Sequence, residues 1–378
     1  MSINQDKKIK IVIVINDFLV GGAQKQIVRQ LDFFDINKFD FCLITLFEFP
    51  NRPNLYQELP PWLPIYRLQF KNFFDLVSWF NLLKILFKIK PNIVISHLFF
   101  SNTVVRILKP LLKYKIIICE HNTYINKTKL QIFLDKLLSK LTYKIVAVSK
   151  TVAEFTSKQE NIPKEKFVII HNGINLEAIQ LQFKKLPEKD VLKNKLGFSK
   201  DDRIIINVGR LTSQKNHKLL LDGFKLFQKS TLGYKLIILG DGALRESLEK
   251  YVIENDFGNS VVFLGIRFDV ISYYKIADFF VSTSIIEGLS DAYLEAFACG
   301  LPLVATKTAG TDELIIEGKN GFFINEFSPN VVVESMIKLL NCNFDLLRKN
   351  TLRCIKNFDI RITVQKYTSL FYESIEND

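Results

Sequence analysis

The feature that most constrains this chain is a strict alternation of short, uniformly apolar runs with longer amphipathic ones. Residues 10–15, 39–47, 65–68, 92–96, 115–119, 144–148 and 166–170 are dense in Ile, Val and Phe, and amphipathic stretches such as 23–34, 73–89 and 130–141 lie between them. A strand that is apolar throughout has no wet face, so both faces must be covered. Alternated with helices, such strands specify a parallel sheet with helices on either side. The pattern then begins again. Strands are expected at 203–208, 235–239, 261–264, 279–282, 303–306 and 321–324, and helices at 218–229, 243–253, 292–298, 331–340 and 360–375. The expected fold class is therefore α/β, with two tandem doubly wound Rossmann-like domains facing each other across a cleft. In such sheets ligands bind outside the carboxyl ends of the strands.

Asn172-Gly173 interrupts the first series, and the polar stretch 184–195 follows it, so the domain junction is expected there. The expected division is a basic amino-terminal domain over 1–180, a second domain over 190–358, and a helix over 359–378 that returns to the first domain. With 378 residues, 48% of them apolar, there is enough chain for two cores. The five cysteines are scattered with no CxxC, which excludes a disulfide framework or zinc cluster and fits a reducing compartment. The opening Lys-rich lead before an apolar run resembles a secretion signal. That run is short, ends at Asn16-Asp17 and has no cleavage site of small residues, so it reads as a first strand. No stretch reaches the roughly 18 uncharged apolar residues of a membrane-crossing helix, and a cytoplasmic protein is expected.

Charge is one-sided. Residues 1–180 hold 21 Lys and 4 Arg against 7 Asp and 7 Glu, whereas 181–378 hold 26 basic against 25 acidic residues. Nearly all of the net +12 thus lies in the first half, which points to an anionic partner there. No basic helix, aromatic RNA-binding signature or zinc knuckle accompanies it, so nucleic acid is not the expected partner.

Four short motifs follow strands. Gly21-Gly22-Ala23-Gln24 opens a helix after the first strand, where backbone N–H groups are able to approach an anion; it is not a GxGxxG fingerprint. Leu239-Gly240-Asp241-Gly242 likewise lacks the third glycine of a nicotinamide site. In the segment from Val208 to Asn216, Arg210 and Lys215 flank a loop at a strand's carboxyl end, two cations suited to a diphosphate. In residues 286–305, Glu287 and Glu295 stand eight apart around one strand–helix unit, where two carboxylates are able to accept hydrogen bonds from sugar hydroxyls. Ser290 or Asp291 is placed to cap the helix, and Gly300 and Pro302 to end it.

Taken together these motifs resemble the retaining glycosyltransferases of family 4, the group 1 glycosyl transferases, which have the GT-B fold. The E-x7-E pair, the VGRL…QKN loop, the IILGDGALRESLE segment, HNGIN at 171–175 and the early GGAQ occur in family order over most of the chain. The resemblance implies that Glu287 is catalytic and contacts the donor sugar with Gly288, Leu289 and Ser290. It implies that Arg210 and Lys215 bind the donor diphosphate, with Gly21 and Gly22 facing it. Glu295 would bind the ribose, and Ile266 would lie near the base. His121 would be a catalytic contact to donor sugar or acceptor, and His97 would lie on the acceptor side. Asp291 and Gln24 depart from common family residues, which leaves the donor sugar open.

The implied activity is transfer of a hexose or N-acetylhexosamine from a nucleotide-diphosphate sugar, UDP rather than GDP, to a glycan. No cofactor is implied, and the absence of any Asp-x-Asp fits a site without metal. Residues 73–89, flanked by Lys71, Lys84, Lys88 and Lys90, form a strongly apolar, aromatic stretch, and 125–144 interleave Lys127, Lys129, Lys136, Lys140 and Lys144 with Leu and Phe. With the basic first half, these suggest peripheral contact with an anionic membrane on its cytoplasmic face and a polyprenyl-diphosphate-linked acceptor, as in surface polysaccharide, O-antigen or capsule assembly. A sugar-nucleotide epimerase and a non-catalytic membrane scaffold on the same fold are the rival readings.

Overall fold

The computed structural model describes residues 8–376, so the Lys-rich lead before Lys8 and the last two residues lie outside it. The chain divides into two compact units, one running to Gly173 and taken up again from Ile360, the other spanning Ile174–Asp359. The chain passes between units at Gly173/Ile174, next to the Asn172-Gly173 break, and the polar stretch 184–195 that follows contains the helix Lys189–Lys195 of the second unit. Gly173 is fixed by Gln26, whose side-chain amide donates to its carbonyl (3.0 Å) and accepts from its N–H (3.1 Å).

The first unit is a seven-stranded parallel sheet of β1 (Ile9–Ile15), β2 (Phe39–Thr45), β3 (Ile65–Arg67), β4 (Ile93–His97), β5 (Lys115–Glu120), β6 (Lys144–Ala147) and β7 (Phe167–Ile169). Its order is β3-β2-β1-β4-β5-β6-β7. The alternation of Cβ directions explains why β1 is apolar throughout. Ile11, Ile13 and Ile15 pack on one side with Ile27 and Leu31 of the helix Gly22–Leu31 and with Phe371 of the helix Ile360–Glu376. Val12 and Val14 pack on the other side with Leu82, Leu86, Val104 and Val105. Each fully buried aliphatic side chain contributes about 1.5–3 kcal/mol.

The second unit repeats the plan with β8 (Arg203–Val208), β9 (Tyr234–Leu239), β10 (Val261–Gly265), β11 (Phe279–Ser282), β12 (Leu303–Thr306) and β13 (Gly321–Ile324), in the order β10-β9-β8-β11-β12-β13. Ile205, Leu236, Ile238 and Val281 meet Leu220, Phe224, Val332 and Met336 from two covering helices. In each sheet the order reverses once, at β1/β4 and at β8/β11. Such a switch point opens a crevice at the carboxyl ends, because the helices on either side run to opposite faces.

Two helices of the first unit carry more apolar surface than the sheet covers. Leu76–Ile89 buries Leu82 and Leu86 but leaves Leu76 (79%), Val77 and Phe80 (66%) in solvent, with Phe74 just before it. Lys129–Leu138 leaves Leu130, Phe133 and Leu137 exposed. No helix among the described residues is long and apolar enough to cross a membrane.

Candidate functional site

The second unit's motif residues gather at its switch point, β8/β11. After β8 the chain makes a short 3-10 turn over Ser213–Lys215 and passes through Asn216 in the left-handed region (φ 48°) into the helix His217–Gln228. After β11 it runs through 283–290 into the helix Asp291–Ala298. The two loops are stitched together. Gln214 accepts at its carbonyl from Ile285 N–H (2.8 Å) and donates its amide to Ile286 O (2.8 Å). The Thr283 hydroxyl donates to Asn216 O (2.9 Å).

This stitching sets Lys215 against Glu287, and Lys215 Nζ donates directly to Glu287 Oε2. Burial alone would lower the Lys215 pKa, but Glu287 outweighs it and holds the ammonium charged. Beneath them the buried Tyr293 hydroxyl meets Ser282 Oγ (2.7 Å), and burial raises its pKa. His217 is buried with Nε2 3.0 Å from Asn207 Oδ1, and Asn207 Nδ2 donates to Val281 O (2.7 Å). The Asn207 oxygen therefore accepts from Nε2–H and selects that tautomer. Burial, then the Lys215 charge, push the His217 pKa down to about 4.

Two glycines let neighbouring loops pack against the β8 and β11 loops, Gly310 after β12 and Gly240 after β9. A Cβ on Gly310 would lie 1.9 Å from Gly288 O, and one on Gly240 (φ 135°) would lie 1.9 Å from Gly209 O. Arg210 stands exposed on the β8 loop. Gly288, Leu289 and Ser290 lead into the helix that carries the half-buried Glu295 one turn on. Of the two residues expected to cap this helix, Ser290 or Asp291, Ser290 occupies the N-cap position and makes no side-chain cap bond there. Ile266 follows β10 and is exposed.

The first unit's motif residues gather at the other switch point, β1/β4, and its neighbour β5. Gly21 precedes the helix Gly22–Leu31, and a Cβ on Gly22 would meet nothing within 4 Å. Gln24 reaches back to Asp17, its amide 3.3 Å from both Asp17 O and Oδ1. His97 closes β4, and His121 follows β5. Their rings lie 5.2 Å apart, with His97 Nδ1 2.9 Å from His121 Nε2. Only one proton fits between the two nitrogens. Burial pushes His121 down to about 4, and burial with the neighbouring ring holds His97 well below its ordinary value. Leu98, between His97 and the helix Phe99–Leu108, adopts φ 72°, ψ 152°, a region open almost only to glycine. Sequence reasoning had no signal for that strain. Nor did it single out Asn16, whose Oδ1 accepts from Ser101 N–H (2.9 Å) and Oγ–H (2.7 Å), tying the end of β1 to the start of that helix.

Glu120 and His121 are neighbours in sequence but serve different places. Glu120 points into a buried charge cluster beneath the His pair. Arg106 Nη2 contacts Asp135 Oδ1 (2.5 Å), and Lys127 Nζ contacts Asp135 Oδ2 (2.9 Å) and Glu160 Oε1 (2.5 Å), with Glu120 at 4.0 Å. Lys127, expected among membrane-facing lysines, is thus an internal ion-pair residue. Burial raises the Glu120 and Glu160 pKa values against the pull of Lys127, Glu160 to about 7. A cluster joining residues 106, 120, 127, 135 and 160 leaves no local sequence mark. Among the described residues no group of three or more His, Cys, Asp or Glu is disposed to hold a metal ion.

Residues 188–358 match the family model described as Glycosyl transferases group 1, and residues 20–178 that described as Glycosyltransferase Family 4. An uncharacterized glycosyltransferase of Methanocaldococcus jannaschii is 33% identical over 329 residues, 79% of either chain. The UDP-Gal:alpha-D-GlcNAc-diphosphoundecaprenol alpha-1,3-galactosyltransferase of Escherichia coli is 26% identical over 384 residues, 98% of either chain. Among solved structures, Anabaena HepE in complex with UDP-glucose has a TM-score of 0.82 at 17% identity, covering 96% of this chain and 99% of that one.

Proposed function

Because the chain belongs to the family 4, group 1 glycosyltransferases and has the GT-B fold, we propose that it moves a hexosyl group from a UDP-sugar to a lipid-linked glycan, with retention at the anomeric carbon. The observation that carries this reading is the Lys215–Glu287 pair at the β8/β11 switch point, with Arg210 on the same loop. An ammonium already neutralised by a carboxylate is poised for exchange. When a diphosphate takes Lys215, Glu287 is released to accept hydrogen bonds from sugar hydroxyls.

As the bond from the anomeric carbon to the diphosphate oxygen breaks, the electron pair goes to that oxygen. Lys215 and Arg210 stabilise the charge that grows there, and charge-assisted contacts of this kind are worth about 1.5–3 kcal/mol each. The acceptor oxygen bonds to the anomeric carbon on the face the diphosphate leaves, and its proton passes to the departing oxygen. No protein nucleophile enters this scheme and no residue here is assigned to hold a metal. Glu295 takes the ribose, Ile266 lies by the base, Gly288 to Ser290 contact the sugar, and Gly21 and Gly22 take the diphosphate. His121 and His97 are assigned to sugar and acceptor contacts as neutral imidazoles.

UDP is favoured by HepE, solved with UDP-glucose, and by the E. coli relative, named for UDP-Gal. The same relative's name supports a diphosphoundecaprenol acceptor. The apolar faces of Leu76–Ile89 and Lys129–Leu138, beside lysines, support peripheral seating on an anionic membrane during surface-glycan assembly. A thermal-shift panel of UDP, GDP, ADP and CMP with their sugar derivatives tests the donor site. Ligand at about 100 times its dissociation constant stabilises by about 2.7 kcal/mol. Stabilisation by UDP and UDP-sugars that is lost in Arg210→Ala is the expected result. No shift with any nucleotide, in folded protein, overturns the donor assignment.

A further inference from the structure

The end of the first sheet opposite the histidines carries a recess of about 890 Å³. It opens beside the amino-terminal ends of β4 to β7: Asn92 precedes β4, Lys115 opens β5, Lys144 opens β6 and Lys166 precedes β7. Its lining includes six lysines, Lys109, Lys113, Lys115, Lys140, Lys144 and Lys166, and one carboxylate, Glu165. Because all the strands are parallel, this site lies a full strand length from His97 and His121, which sit at the carboxyl ends of β4 and β5.

We propose that this recess binds a multiply charged anion of the phosphate class, either a free diphosphate-type ligand or the phosphates of lipid headgroups. Its lysines come from three separate segments, around 109–115, 140–144 and 166, and converge on one hollow, and the volume falls in the ordinary range for ligand pockets. Lys144 and Lys166 are half-buried, and their amines are held by backbone carbonyls, Glu165 O at 3.0 Å and Thr142 O at 2.7 Å, not by carboxylates. Burial and the charge of Lys144 both lower the Lys166 pKa, so like charges already oppose one another there. Tyr114 and Tyr143 wall the recess, with Lys109 Nζ 5.6 Å from the Tyr114 ring centroid and Lys115 Nζ 5.6 Å from that of Tyr143. Ammonium groups act as point charges that meet phosphate oxygens from any direction. Glu165 lines the recess and Glu373 accepts from the Tyr143 hydroxyl at its wall (3.2 Å), so the lysines outnumber the carboxylates, and a diphosphate offers several charges within one small group. This site is independent of the donor assignment.

The test uses the full chain carrying Arg210→Ala, which removes one of the two cations proposed for the donor diphosphate, and inorganic pyrophosphate as the probe in calorimetric titration; substitutions in two pairs of the recess lysines separate the recess from the donor site. Pyrophosphate is expected to bind this chain. The added exposed-site pair Lys113→Glu with Lys140→Glu is expected to weaken binding by about tenfold or more. Lys144→Ser with Lys166→Ser is a second pair, and the thermal midpoint of each variant reports folding. A parallel arm uses phosphatidylcholine vesicles with and without phosphatidylglycerol. Vesicle binding that needs phosphatidylglycerol, is competed by pyrophosphate and is lost in the lysine variants assigns the site to lipid headgroups. Pyrophosphate binding without such vesicle binding assigns it to a free anion. Failure of both probes to bind, or binding unchanged in both lysine pairs, overturns the proposal.

Discussion

Lys215 and Glu287, 72 residues apart, meet as a direct ion pair because the β8 and β11 loops are laced together through Gln214 and Thr283. The pair is mostly buried, with the two side chains 15% and 14% exposed. Replacing Lys215 or Glu287 by Ala is expected to leave the chain folded and to cut the turnover rate by about 100-fold or more, the cost of losing one preorganised charge-stabilising group. The two losses should not add in the double variant, since the two side chains contact each other in the free chain and each single variant already breaks that pair. Turnover near the parent's in Glu287→Ala removes the assignment.

Gly310→Ala tests the packing that supports the same site from outside it. The new methyl would lie 1.9 Å from Gly288 O, and backbone at that distance does not yield cheaply. A loss of about 1–3 kcal/mol in stability is expected, the usual penalty of overpacking. Weaker binding of UDP-sugar should accompany it. Denaturant unfolding and nucleotide titration measure the two effects.

The strands of both sheets were legible because apolar runs bounded by polar residues leave few alternatives, and β8, β11, β12 and β13 fall where the pattern placed them. The E-x7-E spacing and the Arg210/Lys215 loop were legible because each lies within one strand–loop–helix unit. The pairing of His97 with His121 was not, because it depends on β4 and β5 lying side by side in register, His97 beside Cys119. Lys127 misled for the converse reason. Its neighbours in sequence are exposed lysines, and only Asp135 and Glu160, brought together by folding, reveal it as internal.

That internal cluster should be sensitive to truncation. Arg106 is fully buried, and its Nη2 contacts Asp135 Oδ1. Asp135→Ala strands Arg106 and removes one of the partners of Lys127. A destabilisation of about 3–5 kcal/mol is expected, as for breaking buried pairs elsewhere. Urea unfolding of the variant measures it, and a loss below 1 kcal/mol (about the value of an exposed pair) would show the cluster to be well hydrated.

Stability should depend on pH in two opposed ways. His121 and His217 sit near 4 in the folded chain against about 6.5 when unfolded. Between those values the unfolded chain binds the extra protons, so their contribution is full above about 6.5 and is lost as pH falls toward 4. Glu160 has the opposite sign: its pKa is raised from 4.5 to about 7, so its contribution is full below 4.5 and is lost as pH rises toward 7. Each group changes stability by at most about 1.4 kcal/mol per pH unit within its window. Glu160→Gln should therefore steepen the net rise in stability from pH 4.5 to 7, and His121→Asn should flatten it. Unfolding midpoints across this range in all three chains decide the signs.

The exposed face of Leu76–Ile89 gives the last prediction, because the residues involved support almost nothing in the fold. Val77 and Phe80 are 71% and 66% exposed, so replacing both by Ser removes little packing, and the thermal midpoint should stay within a degree or two of the parent's, as for surface substitutions in general. If that face enters a bilayer interface, the same change removes most of two apolar side chains from the membrane-bound state. At about 25 cal/mol per Å² of apolar surface, that loss should weaken partitioning onto phosphatidylglycerol vesicles by tenfold or more. Sedimentation with vesicles at low salt makes the comparison. Binding that falls in the double Ser variant and also falls with added salt fits an apolar face inserted beside lysines. Unchanged sedimentation means that this face does not enter the bilayer, and the seating proposed for it is then wrong.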